Sequence, residues 1–248
     1  MAPSRGKSRR SRSLERIRER ARDEAAQPLP PDPTESENAH YPCPADGSTL
    51  FGWTTSKPWD GGEPVLLDQC EECGMAVTRA ASPPDVATEL AALERDGDEL
   101  VVPNRGSVAA WLGAAGWSEL HAGEHRLHLT ERAARELLAA HGTEVLASRT
   151  PFSGRSYGAM LQTMVNAFTL RNNFFRHARR GELEARSTTD RFAFALDGFV
   201  TCFVAIPLSV VALGAELLAS PLGRGGFLRL RTAPAPVSGS SRDRSTAG

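Results

Sequence analysis

The chain has 248 residues, 40% of them hydrophobic, and a formal net charge of −1. That length allows one ordinary domain with extensions, and the apolar content is enough for a core. Residues 1–25 carry nine Arg/Lys against four Asp/Glu and the stretch from Ala233 is +1, which leaves residues 26–232 at −7; so acidic a middle excludes a large nucleic-acid surface on the folded part.

Residues 1–38 read as a basic, disordered arm. Met1 to Arg12 is rich in Ser and Arg, Leu14 to Ala26 mixes charges along a solvated helix, and four prolines between Gln27 and Glu37 end it. Such an arm either touches nucleic acid or an acidic partner, or keeps the chain soluble. No aromatics interleave its charges as a stacking surface needs, which favours the second. The Ser8-Arg9-Arg10-Ser11 start is followed by no apolar stretch, so no signal peptide is expected.

Residues 39–80 have the outline of a zinc ribbon. Four cysteines in all, three of them in two short motifs, point to metal chemistry in a reducing, cytoplasmic compartment rather than to disulfides. The motifs are Cys43-Pro44-Ala45-Asp46-Gly47 and Cys70-Glu71-Glu72-Cys73-Gly74. In each, two ligand-type residues flank two others, so both side chains can meet one ion, and the glycine permits the turn behind them. Phe51 to Ser56, Pro64 to Gln69 and Met75 to Arg79 are the expected strands, with a turn at Asp60-Gly61-Gly62. The expected metal ligands are Cys43, Asp46, Cys70 and Cys73. Asp46 stands where a four-cysteine ribbon has its second cysteine, and His40 is a rival fourth ligand. A metal-free ribbon packed around Phe51, Trp53 and Trp59 is the competing reading. With no open position, a bound zinc here is structural.

Residues 82–232 alternate helices and strands. Val86, Leu90 and Leu93 mark an amphipathic helix over Asp85–Arg95, ended by the Asp96-Gly97-Asp98 turn. Leu100 to Val102 is a buried strand halted by Pro103. Ser107 caps a helix with Val108, Trp111 and Leu112 on one side. Thr130 caps another, with Ala134, Leu137, Leu138 and His141 inward and Gly142 as its stop. Thr143 to Arg149 is the next strand, with Val145 and Ala147 alternating against polar neighbours. Ser156 to His177 reads as one helix with Met160, Leu161, Met164, Val165 and Phe168 on one side. Its polar insertions Gln162, Asn166, Asn172 and Asn173 either line a pocket or sit on an open face, and the open face is favoured. Asp190 caps a long apolar helix near 191–219. Gly198 to Ala215 holds 18 residues without a charge, at the lower margin for a membrane span of about 20 residues. Asp197, Pro207 and Glu216 count against a span, and a buried or interface helix is favoured. Residues 233–248 are Pro/Ser/Gly-rich and expected to be disordered.

The order of these parts resembles class I S-adenosylmethionine-dependent methyltransferases that carry an N-terminal zinc-ribbon segment. The motifs are the Cys-Pro knuckle, Val102-Pro103-Asn104, Trp111 or Trp117, and His125-x-x-His128-Leu129-Thr130. The helix to Gly142 and the Gly223-to-Leu230 segment, like a closing turn and strand, complete it. The family has an aromatic where Leu129 stands. The resemblance covers about two thirds of the chain in two blocks, and beyond the ribbon it is to the family's C-terminal half only. It implies that His125 and His128 lie near an acceptor site, where one acts as a general base, or that they are inherited packing residues. The family's glycine-rich loop, which lets backbone N–H groups approach the cofactor, has no counterpart. About ten residues separate the second knuckle from the Asp85 helix, where the cofactor half needs on the order of a hundred.

The expected fold is therefore α/β (α+β): a zinc-ribbon-like β module, then a truncated methyltransferase-like sheet with flanking helices. Its strands are those at Leu100, Thr143 and Phe227, with one open edge and an uncovered apolar face. Three functions follow. The first is a degenerate, non-catalytic methyltransferase-like protein that binds zinc and acts through a protein partner or self-association. The second is an active enzyme whose S-adenosylmethionine site is completed by a partner chain. The third is a membrane-associated protein built on the 198–215 segment.

Overall fold

The computed structural model describes residues 41–56, 64–183 and 187–235. The basic arm, the 60–62 turn, His40, Trp59 and residues 236–248 of the tail lie outside them, whereas Ala233 and Pro234, expected in the disordered tail, end the last strand. The fold is mixed α+β, with two four-stranded antiparallel sheets and six α-helices among the described residues.

The first sheet has the order β1-β2-β3-β6, from β1 (Leu50–Ser56), β2 (Val65–Cys70), β3 (Ala76–Thr78) and β6 (Leu127–His128). The three strands expected between residues 51 and 79 are thus β1, β2 and β3. The His125–His128 segment adds the fourth, pairing Ala76 with His128.

The second sheet has the order β4-β5-β8-β7, from β4 (Glu94–Asp96), β5 (Glu99–Pro103), β8 (Phe227–Pro234) and β7 (Thr143–Arg149). The three expected strands do share this sheet. A fourth strand, β4, not expected, pairs beside β5, and β7 lies at the other edge. The expected Asp85–Arg95 helix is only α1 (Val86–Ala91), because Gly97, at φ +65°, folds the chain into a hairpin that pairs Arg95 with Leu100. Glu94, Arg95 and Asp96 are all exposed, and a three-residue charged strand makes a poor template for further pairing. On β7 the register shifts between Val145 and Ala147, so the alternation breaks and Ala147 faces solvent.

Other helices depart from expectation as well. In α2 (Val108–Gly113), capped by Ser107, the buried face is Ala109 and Ala110, while Trp111 is 75% exposed. Small residues are needed there because α2 lies tight on α4 (Gly154–Asn166). A Cβ on Gly113 would stand 2.5 Å from Thr163 Cγ2. The Ser156–His177 pattern holds two helices, α4 and α5 (Phe174–Arg180). They part because Asn166 turns its side chain onto the next segment, accepting from the Asn173 amide at 2.8 Å and donating to the Gly116 carbonyl at 2.7 Å. Asn173 itself is left-handed, at φ +59°. Gln162, Asn166 and Asn173 are buried rather than on an open face. In α3 (Glu131–Ala140) Thr130 is the cap as expected, and Ala133, Ala134, Leu137 and Leu138 face inward, but His141 is exposed.

The long helix α6 (Thr188–Ala219) is capped by Ser187, whose hydroxyl accepts from the Asp190 amide; Asp190 is not the cap. It is long and apolar enough to cross a membrane, yet only 11% of its most apolar window is buried. Of the two alternatives expected, a buried or an interface helix, burial is not met: the helix is exposed.

One core joins the two halves. Cys43, Cys70, Cys73 and Met75 pack in the same cluster as Leu100 and Val102 of β5, Leu137 of α3, and Leu228 and Leu230 of β8. At roughly 2 kcal/mol for each fully buried large apolar side chain, this cluster ties the two cysteine turns to the second sheet. A second cluster, with Leu67, Trp117, Met160 and Ala212, sets α4 and α6 against the first sheet.

Candidate metal centre and the histidine segment

Each knuckle is a tight turn closed by its glycine. The Gly47 amide donates to the Cys43 carbonyl at 2.8 Å and the Gly74 amide to the Cys70 carbonyl at 3.0 Å, with φ of +76° and +70°. Only glycine takes that conformation without strain. The turns point both side chains of each knuckle inward. Cys43, Cys70 and Cys73 are 2%, 0% and 4% exposed, and the four ligand atoms with Asp46 lie within 4.8 Å of one another. Cys43 Sγ is 3.6 Å from Cys73 Sγ, and Cys70 Sγ is 3.5 Å from Asp46 Oδ2. Tetrahedral zinc with bonds of about 2.3 Å sets sulfurs about 3.8 Å apart. Two ligand pairs already stand near that spacing, and the whole set lies close enough to hold one ion.

The electrostatics agree. Burial raises the Cys70 thiol. The Cys43–Cys73 contact splits that pair, lowering Cys43 and raising Cys73, so the two hold one proton between them readily and release it reluctantly. A dication removes that conflict by binding both as thiolates. Asp46 is partly desolvated, which raises its pKa, but the Ser48 amide at 2.9 Å and the neighbouring thiols outweigh this and hold it down at about 2. It is ready as an anionic ligand. Around the site, Thr130 Oγ1 donates to the Cys73 carbonyl at 2.6 Å, and Arg132 Nη1 donates to the Glu72 carbonyl at 2.7 Å. The second knuckle is thus fixed to the start of α3, whose positive end favours the anionic cluster. Of the residues invoked for a metal-free ribbon, Phe51 is half exposed. Trp53 carries the Arg105 guanidinium 3.8 Å over its ring.

The two predicted histidines fare differently. His128 is buried on β6, its Nε2 3.3 Å from Thr78 Oγ1 and its ring edge-on to Trp117. Burial pushes it down to about 3, so it is neutral at physiological pH and a weak base. His125 is exposed, with Nδ1 3.9 Å from Glu89 Oε2. Both line a cavity of about 310 Å³ together with Glu89, Trp117 and Glu119.

Glu119, His121 and Arg176 were not anticipated. Glu119 is buried and ion-paired with Arg176, and Arg176 Nη1 lies 3.3 Å from His121 Nε2. Burial lowers the His121 pKa. These three residues line a larger, open cavity of about 990 Å³, with Gln162, Asn172 and Asn173 on its wall. The pocket-lining role weighed for those amides is therefore shared with structural hydrogen bonds: Asn172 and Asn173 donate to the Ala115 and Ser118 carbonyls, and Gln162 donates to Asn166 Oδ1. The only signal in the sequence was the Glu119-x-His121-x-x-x-His125 spacing, which carries no chemistry until Arg176 arrives from α5. Scans against protein-family models, curated proteins and solved structures each returned no match.

Proposed function

We propose that this chain is a zinc-stabilised, non-catalytic protein of methyltransferase lineage that acts in the cytoplasm by presenting a surface to a partner. The observation that carries the reading is the closed donor set of Cys43, Asp46, Cys70 and Cys73 within 4.8 Å, embedded in the core it shares with β5 and β8. Three buried sulfurs and a carboxylate leave zinc no open position for a substrate, so its role is to fix the ribbon. Between Gly74 and Asp85 the chain holds only β3 and a short connection, and this supports the absence of a cofactor half. The depressed basicity of His128 supports an inherited packing role.

A partner-completed methyltransferase is the second reading, and the cavity beside His125 and Glu89 is what favours it. One experiment separates the two. Metal content is measured on purified full chain, and S-adenosylmethionine and its demethylated product are titrated calorimetrically into the same sample. The proposal expects one zinc per chain and no heat up to millimolar ligand. Micromolar cofactor binding would overturn the non-catalytic reading, and zinc-free protein would overturn the metal assignment.

A further inference from the structure

The long helix α6 has its polarity reversed. Beyond its first turn the charged residues face the protein: Asp197 and Glu216 are buried, and Thr201 with them. Asp197 Oδ1 accepts from the Leu170 amide at 2.7 Å, and Glu216 Oε1 from the Gly226 amide at 2.9 Å. Facing out are Phe192, Leu196, Phe199, Phe203, Ile206 and Val210, continued by Leu213 and Leu217. Eight such side chains expose of order 800 Å², against about 300–600 Å² for the largest apolar patch on a typical monomer.

We infer that this face of α6 docks into a lipid bilayer, with the helix lying in the membrane plane rather than crossing it. Crossing is excluded by what holds the two ends. The N-terminal end is fixed by the Leu170–Asp197 bond and by Phe174 against Phe194, ring centroids 6.1 Å apart. The C-terminal end leads through Gly226 into β8, which pairs with β5 and β7. Between them Ala212 packs in one cluster with Met160 of α4. A spanning helix would draw these attachments apart across about 30 Å of hydrocarbon.

Two observations favour lipid over a second copy of the chain. The outward residues are spaced alternately by four and three, as in a coiled-coil seam, but such a seam carries charges along its flanks. Here the exposed flanks are Ala195, Cys202, Val211, Gly214 and Leu218, and no charge falls between 198 and 215. The apolar belt is broad rather than narrow, as a hydrocarbon boundary requires. Basic residues lie at both ends: exposed Arg191 in its first turn, and exposed Arg224 just past its end. That placement suits an anionic headgroup layer met by both ends at one depth. This inference names the surface through which the proposed function works, but it does not need zinc to be bound.

The test is flotation of the full chain with phosphatidylcholine vesicles, with and without phosphatidylglycerol, metal content being measured on the same sample so that the two proposals fail separately. Wild type should float, more strongly with the anionic lipid. Phe199→Glu with Phe203→Glu should cut partitioning at least about tenfold, while Phe51→Glu on β1, also exposed, should leave it unchanged. Circular dichroism keeps unfolded variants out of the comparison. A fluorophore at Cys202, or at Leu217→Cys in a Cys202→Ser chain, should be quenched by brominated lipid at equal depth. The inference is overturned by no flotation on either vesicle, by a double variant that floats like wild type, or by graded depths at the two labels. It is equally overturned by a lipid-free dimer that ignores vesicles and that the double variant makes monomeric.

Discussion

Removing the metal should weaken this protein without dissolving it. The perturbation is chelation, or Cys73→Ala, which deletes a ligand that is 4% exposed and 3.6 Å from its Cys43 neighbour. Zinc held a thousandfold above its dissociation constant stabilises the folded chain by about 4 kcal/mol. For a chain of this size each kcal/mol moves the midpoint by about 2–4 °C, so loss of the metal should lower Tm by about 8–16 °C. Complete unfolding is not expected, in contrast with an isolated zinc finger. Leu100, Val102, Leu137, Leu228 and Leu230 pack against the same thiols and remain after the ion is gone. The assay is calorimetry or far-ultraviolet circular dichroism of zinc-loaded and chelated protein, with Cys73→Ala in both conditions. Chelation should not shift the variant further. Identical midpoints for loaded and chelated wild type would refute the argument, since a buried four-ligand site cannot bind its ion without stabilising the fold that makes it.

Gly113→Ala should cost about 1–3 kcal/mol in urea unfolding, because the added methyl meets the branched Thr163 side chain at 2.5 Å; an unchanged midpoint would show that α2 and α4 are not tightly packed. Glu216→Ala should cost about 2 kcal/mol and Glu216→Gln less, since only the first leaves the buried Gly226 amide without its acceptor. Equal losses would show that this hydrogen bond does not decide the cost. His128 is held neutral by burial, at about 3 against an unfolded value near 6.5. The unfolded chain therefore takes up a proton the folded one refuses, so stability is full above about pH 6.5 and falls as pH drops toward 3, by up to about 5 kcal/mol. Urea titrations with chelator at pH 7.5 and 4.5 should show a smaller acid loss for His128→Phe than for wild type, and parallel losses would refute it.

What the sequence disclosed and what it hid divide along one physical line. Signals that act between near neighbours were legible. Cys-x-x-Cys and its Asp46 variant need only a turn and a glycine, and Ser107 and Thr130 cap the helices they precede. The strand at Leu100 follows from a short apolar run and that at Thr143 from alternation, while that at Phe227 was expected from the resemblance alone. Decisions made by distant partners were hidden. Asn166 looked like a polar position on a continuing helix until Asn173, seven residues on, returned to it and broke the helix. Glu119 had no meaning before Arg176 came from α5. The long helix is the sharpest case. Its hydropathy was plain, and Asp197 and Glu216 counted as evidence against a membrane because a charge in a helix is assumed to face outward. In the fold they turn inward to the amides of Leu170 and Gly226 and leave the outer face without a charge. The same two residues that argued against lipid from the sequence are what allow this helix to meet it.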